Sequence, residues 1–289
     1  MSELNLLTSY YNFEEDTFTV TDDMQECFNN NGYLLLRGLL SHSELNRVMD
    51  VVEDNSVIDK FAYGNKDDKD RESRLCLWNH PGNDVTGMVA RCSKVAGTCA
   101  KLLSGEVYHY HTKLMMKEAK TGGSFVWHQD YGYWYRNGCL FPDMMTVFIA
   151  LDKCTRENGC LQILSGSHLC GRVEHGIVGR QIGADVNRVS EISKVCEHLY
   201  VELNPGDALY FHGNVLHTSS ANMSSMRRWA LLCAYNKASN NPVMEHLHPY
   251  YTPLTQVANT AIMECPVPWD ATGKDLVTKD RRERFVMAS

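Results

Sequence analysis

This chain is as informative for what it lacks as for what it holds. Its eleven cysteines form no C-x-x-C pair and no regular spacing, which argues against a disulfide framework. An odd count without a secretion signal reads as reduced thiols in a cytoplasmic setting. No apolar run approaches the roughly 20 residues that span a bilayer, and Met1–Asp16 is acidic and polar rather than signal-like. The final Met287-Ala288-Ser289 is not a Ser-Lys-Leu peroxisomal address. A net charge of −7 and a pI near 5.9 give no footprint for nucleic acid. No internal repeat is present. A length of 289 residues suffices for one sizeable core, so one enlarged domain is expected.

Against this background His128-Gln129-Asp130 stands out. It lies between two apolar, strand-like segments, Ser124–Trp127 and Thr146–Leu151, and a later strand pattern ends at His217. Two imidazoles and one carboxylate can cover one face of Fe(II), leaving the other face for a co-substrate and dioxygen. Taken alone the motif is weak, since roughly 1.5 H-x-[DE] matches arise by chance at this composition. His42-Ser43-Glu44 is such a decoy. It sits in a Ser41-x-x-Glu44 capping box before Leu45, Val48, Met49 and Val52 at helical spacing. The residues after His217 carry more weight: Thr218-Ser219-Ser220, Arg227-Arg228, and an apolar run from Trp229 to Tyr235. A returning strand would bring Arg228 near the metal, where a guanidinium can pair bidentately with a carboxylate and a hydroxyl can add a bond.

These residues resemble the phytanoyl-CoA dioxygenase family of Fe(II)/2-oxoglutarate oxygenases. The resemblance rests on Asn31-Gly32-Tyr33 to Leu40, Trp127-His128-Gln129-Asp130, Asn158-Gly159-Cys160-Leu161, Gly166-Ser167-His168, Pro205-Gly206-Asp207 and His217 through Arg228. Phe211-His212-Gly213-Asn214, Tyr235-Asn236 and Trp134 are most similar to the branch containing ectoine hydroxylase. The resemblance implies a mainly β fold with flanking helices and a double-stranded β-helix, or cupin-like jelly-roll, core. It implies His128, Asp130 and His217 as iron ligands, with Arg228 and Ser219, assisted by Thr218, on 2-oxoglutarate. It further implies oxidative decarboxylation of 2-oxoglutarate coupled to hydroxylation of an unactivated C–H bond.

The expected layout is a helical N-terminal part over about 20–103, a jelly-roll core over about 106–237 and a C-terminal extension over 238–289. Thr21–Asn30 and Ser41–Asp54 read as helices and Tyr33–Leu36 as a strand. Asp84–Leu103 reads as one helix with a single buried stripe, and Asn65–Arg74 as a solvated charged loop. From Glu106 onward the period is two. Arg281–Arg284 reads as a solvated charged stretch.

Substrate contacts are expected from Trp134, Tyr131 and Phe211, whose faces would attract a cationic nitrogen. By alignment with the ectoine hydroxylase pattern, His111, Lys113 and Met115 point inward, and His111 or Lys113 would meet an anionic end. His109 reads as a strand histidine bonded to its neighbours. His168 reads as a structural turn residue, and His175 and Arg180 as possible borders of the pocket. The favoured substrate is a small polar or zwitterionic amine: an amino acid, an ectoine-like compound, a betaine or an aminophosphonate. An acyl-CoA 2-hydroxylase is the alternative, and a non-enzymatic cupin-like binding protein a lower one. A zinc hydrolase could use the same three ligands but would have no need of Arg228.

Overall fold

The computed structural model describes residues 9–15, 17–53 and 55–280. The expected charged stretch Arg281–Arg284 lies outside the described residues. Along the chain run β1 (Tyr10–Asn12), α1 (Asp22–Asn31), β2 (Tyr33–Arg37), α2 (His42–Val52), α3 (Ser56–Phe61), β3 (Tyr63–Lys66), β4 (Glu72–Trp78) and α4 (Val85–Arg91). Next come α5 (Thr98–Leu102), β5 (Val107–Lys117), β6 (Phe125–His128), α6 (Asp130–Trp134), β7 (Met144–Ala150), β8 (Leu161–Leu164), β9 (His175–Val178) and β10 (Gln181–Ala184). The last elements are α7 (Val186–Ile192), β11 (His198–Val201), β12 (Ala208–His212), β13 (His217–Ser219), β14 (Arg228–Lys237) and α8 (Ala261–Glu264).

Two sheets form a jelly-roll sandwich. The larger has the order β1-β2-β12-β7-β14-β5-β4-β3 and the smaller β11-β8-β13-β6. Strand alternation sorts the apolar residues between two cores. On β14, Ala230 and Leu232 face the inter-sheet core with Ile163 and Leu161 of the smaller sheet. Leu231, Cys233 and Tyr235 face the other way, into a core shared with the helical layer. The same division holds on β7, where Phe148 and Ala150 point inward and Val147 and Ile149 point to the helices.

The helical layer begins as the caps dictate. Thr21 Oγ1 accepts from Met24 N at 3.3 Å. Ser41 and Glu44 form a complete capping box on α2. The decoy His42 therefore sits at a helix start, within 3.2 Å of the Asn46 carboxamide.

Three expectations change. Asp84–Leu103 is not one helix: Cys92 is extended (φ −67°, ψ 154°) and a π turn covers Ser93–Gly97 before α5. The cause is the C-terminal segment. Val257 N donates to Arg91 O and Ser93 N donates to Val257 O, both at 3.1 Å, so this backbone pairs outside the helix ladder. Asn65–Arg74 is not a loop. Lys66 and Glu72 close the β3–β4 hairpin, and the charges occupy its tip and outer face. Asp67, 3% exposed, fixes the tip by accepting from Lys69 N (2.8 Å), Arg71 N (3.1 Å) and Ser124 N (3.1 Å). Finally, His217 begins a strand rather than ending one, because Val215 N turns back to His212 O at 2.9 Å. No helix among the described residues is long and apolar enough to cross a membrane.

Candidate active site

β6 and β13 pair antiparallel in the smaller sheet with His128 opposite His217, which sets their ring centroids 4.1 Å apart. Each imidazole is oriented by its own strand. His128 Nδ1 donates to Val126 O at 2.7 Å and His217 Nδ1 to Val215 O at 2.9 Å. A carbonyl can only accept, so the proton sits on Nδ1 and each Nε2 presents a lone pair. Burial pushes both imidazoles below their ordinary pKa, favouring the neutral form that can ligate. Asp130 opens α6. Its Oδ2 accepts from Thr146 Oγ1 of β7 at 2.7 Å, and its Oδ1 lies 3.8 Å from His217 Nε2. Burial opposes its charge, but His217, Lys113, His128 and the Thr146 bond outweigh it and hold the carboxyl below the usual range.

One ligand atom from each of His128, Asp130 and His217 lies within 4.8 Å of the others. Neutral imidazoles with bonded back nitrogens and an ionised carboxylate on a threonine hydroxyl are the donor set that an Fe(II) site with open positions requires. Gln129, between them, is fully buried. Its carboxamide bonds Gly171 O, Asn214 O and Val173 N at 2.7–2.8 Å, and its backbone N donates to His175 Nε2 at 2.9 Å. These bonds clamp the turn between the ligands.

A second polar feature reaches β13 at Ser219, two residues after His217. Arg228 is 0% exposed and pairs with no carboxylate among the described residues. Its Nη2 donates to Gly159 O at 3.0 Å, its Nη1 faces Met115 Sδ at 3.4 Å, and its Nε has no partner. Directly across the sheet sits Lys117, also 0% exposed. Its Nζ donates to Ser219 Oγ at 2.9 Å and Ser220 O at 2.5 Å. Burial, then the neighbouring Arg228, drives the Lys117 pKa well down. A buried guanidinium and a buried amine, with no carboxylate at ion-pair distance among the described residues, form a receptor for an anion, whose charge would favour the protonated Lys117. Arg227 faces outward, bonding Glu53 and, at 3.1 Å, Asp152.

A cavity of about 560 Å³ opens over His128 and Asp130. Trp134, His111 and Lys113 line it, together with Tyr133, Phe125 and the β3–β4 hairpin residues Tyr63, Leu75 and Leu77. Three expected contacts are placed elsewhere. Asp130, Tyr133 and Trp134 share one face of α6 by helical spacing, which turns Tyr131 away. Tyr131 is 3% exposed and its hydroxyl donates to Cys139 O at 3.0 Å. Phe211 is sealed between the sheets with its ring 4.9 Å from that of His217. Thr218 alternates to the face opposite His217 and Ser219 and donates to Phe125 O at 2.5 Å. His109 is bonded within the fold, to Asn79 O at 3.1 Å and Thr112 Oγ1 at 2.7 Å. His168 bonds Asn29 O at 2.9 Å. Arg180 lines the cavity, whereas His175 packs behind it against Tyr133.

Lys117 and Tyr133 are the additions that sequence reasoning missed. For Lys117 the signal was present, since it continues the inward alternation His111, Lys113, Met115 by one step. Tyr133 needed the knowledge that the chain turns helical straight after the iron motif.

A family model described as phytanoyl-CoA dioxygenase (PhyH) matches residues 28–230. The chain belongs to the phytanoyl-CoA dioxygenase family. It is a dioxygenase that uses iron and 2-oxoglutarate. Among curated relatives, the L-proline trans-4-hydroxylase of Streptomyces griseoviridis is 32% identical over 192 residues, 60% of this chain and 69% of that one. The ectoine dioxygenase of Stutzerimonas stutzeri is 24% identical over 245 residues, covering 80% of this chain and 81% of its own. The crystal structure of EctD from S. alaskensis with 2-oxoglutarate and 5-hydroxyectoine superposes with a TM-score of 0.65 at 20% identity. It covers 83% of this chain and 89% of that one, a likeness of fold.

Proposed function

We propose that this dioxygenase hydroxylates an unactivated C–H bond of a small polar or zwitterionic amine. The observation that carries the reading is the convergence of three oriented ligand atoms, two of whose residues line one cavity, with a buried Arg–Lys pair that reaches the His217 strand at Ser219 and meets no carboxylate at ion-pair distance among the described residues. In this reading His128, Asp130 and His217 hold Fe(II), and Arg228, Lys117 and Ser219 receive the distal carboxylate of 2-oxoglutarate. Iron, when bound with 2-oxoglutarate and dioxygen, supplies the oxidative decarboxylation to succinate and carbon dioxide and the hydroxylation coupled to it. The chain's own part is to bind, orient and exclude water. Nδ1 bonds to the strand carbonyls keep both imidazoles in ligating form. Thr146 aims the carboxylate, and Trp134, Tyr133 and Phe125 wall off the space above it. His111 and Lys113 offer polar contacts on the same wall. Cavity residues run from Tyr63 to Lys279, in keeping with one catalytic domain.

The amine class is supported by the relatives, which act on proline and ectoine by name. One observation favours the acyl-CoA alternative: Lys66, Arg136, Arg180 and Lys279 also line the cavity, a basic rim that phosphates could use. The deciding experiment measures 2-oxoglutarate turnover with Fe(II) against amino acids including L-proline, ectoine, betaines, aminophosphonates and acyl-CoAs. Succinate and a hydroxylated amine in equal amounts are expected. Coupled hydroxylation of an acyl-CoA, with no response to any amine, would overturn the amine class and leave the metal centre in place.

A further inference from the structure

The family match ends at residue 230, yet the cavity has walls beyond it: Leu247, His248 and Lys279. His248 is placed there by Asn79, which is 1% exposed at the end of β4. The Asn79 carboxamide Nδ2 donates to Leu247 O at 2.9 Å and to Asp275 Oδ2 at 2.7 Å. Its Oδ1 is therefore an acceptor, and His248 Nδ1 lies 2.9 Å from it. An acceptor at that position puts the His248 proton on Nδ1 and fixes the ring's plane.

That ring lies against His111. The two centroids are 4.7 Å apart at 31° between planes, with Tyr110 4.6 Å away on the same imidazole. His111 is 5% exposed, lines the cavity, and its Nδ1 is buried without a partner. The charged groups around the cavity are cationic apart from Asp130. A substrate ammonium, a group that only donates, needs a neutral acceptor among them. Of the neutral acceptors on the cavity wall, His111 is the one whose ring lies 5.9 Å from that of Trp134, whose face also favours a cation. Lys113 then suits the substrate's anionic end.

We propose that His248 is a positioning residue: held by Asn79, it fixes the His111 ring so that His111 hydrogen-bonds the nitrogen of the bound amine. The segment after residue 230 thereby sets the choice of substrate. The proposal rests on the amine reading given above, and its test separates the two.

In His248→Ala, KM for an accepted amine should rise roughly tenfold or more. Substrate-free 2-oxoglutarate consumption and iron content should stay at the wild-type level. His248→Phe, which keeps a ring against His111, should recover part of the loss. An unchanged KM, or an equal fall in coupled and substrate-free turnover, would overturn the proposal. A second readout needs no substrate. Long-range 1H–15N NMR of the enzyme loaded with Zn(II) in place of iron should show His111 in one neutral tautomer in the wild type and in exchange in His248→Ala. An unchanged His111 spectrum would overturn the role of His248 even if the amine reading stands. If no amine in the panel is turned over by the wild type, the amine reading fails, and the NMR comparison alone decides His248.

Discussion

At Asp130 two demands meet, since a carboxylate must stay ionised while almost wholly buried. The Thr146 hydroxyl at 2.7 Å and the charge of Lys113 meet them. Removing the carboxylate leaves two neutral imidazoles, too few to hold an open iron site. Asp130→Ala should lose bound iron and succinate formation together, as metal analysis beside an activity assay will show. Full iron occupancy in that variant would remove Asp130 from the ligand set. The two aromatics Tyr131 and Trp134 separate cleanly. Trp134→Ala should raise KM for the amine, because Trp134 walls the cavity. Tyr131→Phe should leave KM unchanged and cost about 1 kcal/mol of stability, the worth of its bond to Cys139 O. Kinetics and thermal melts of the two variants check this. His128, Asp130, His217 and Arg228 were marked in the chain by the H-x-D…H order together with the family resemblance, and the structure brings ligand atoms of the first three within 4.8 Å of one another. Tyr131 was expected on the cavity wall, where Tyr133 stands, because α6 is only five residues long and too short for a periodic signal.

Among the elements, those fixed by local chemistry were legible and those fixed by distant partners were not. Caps located α1 and α2, since Thr21 and Ser41 act locally. The break at Cys92 could not be read locally, because its partner, Val257, is 165 residues away along the chain. The charged hairpin at Asp67 was hidden for a related reason, since one of the bonds that fix its tip comes from Ser124, 57 residues on. The C-terminal segment that makes the Cys92 break is itself locked by Lys274. The Lys274 ammonium, 0% exposed, bonds Pro81 O (2.8 Å), Asp84 Oδ1 (3.0 Å) and Thr86 Oγ1 (2.9 Å), and lies near the rings of Trp78 and Trp269. Lys274→Met would leave Asp84 charged and buried without its partner, at about 3–5 kcal/mol. Calorimetric unfolding should show a large fall in Tm. A loss of unfolding free energy under about 1 kcal/mol would mean that water replaces the ammonium.

Taken whole, the molecule sets a basic cavity into a chain of net charge −7, a contrast that composition averages away. Scaffold and centre are also separable, because two apolar cores hold the sandwich without help from the metal site. Chelation should therefore abolish turnover while the circular dichroism spectrum is retained, and added Fe(II) should restore activity. The proposed co-substrate site, where Arg228 and Lys117 face each other with no carboxylate at ion-pair distance among the described residues, is where the proposed chemistry is most exposed to refutation. The measurement is an anaerobic calorimetric titration of 2-oxoglutarate into the Fe(II)-loaded enzyme and its Arg228→Ala and Arg227→Ala variants. One-to-one binding is expected, weakened at least roughly tenfold in Arg228→Ala and unchanged in Arg227→Ala. Equal binding by the wild type and Arg228→Ala would contradict the assignment of Arg228 to the 2-oxoglutarate carboxylate.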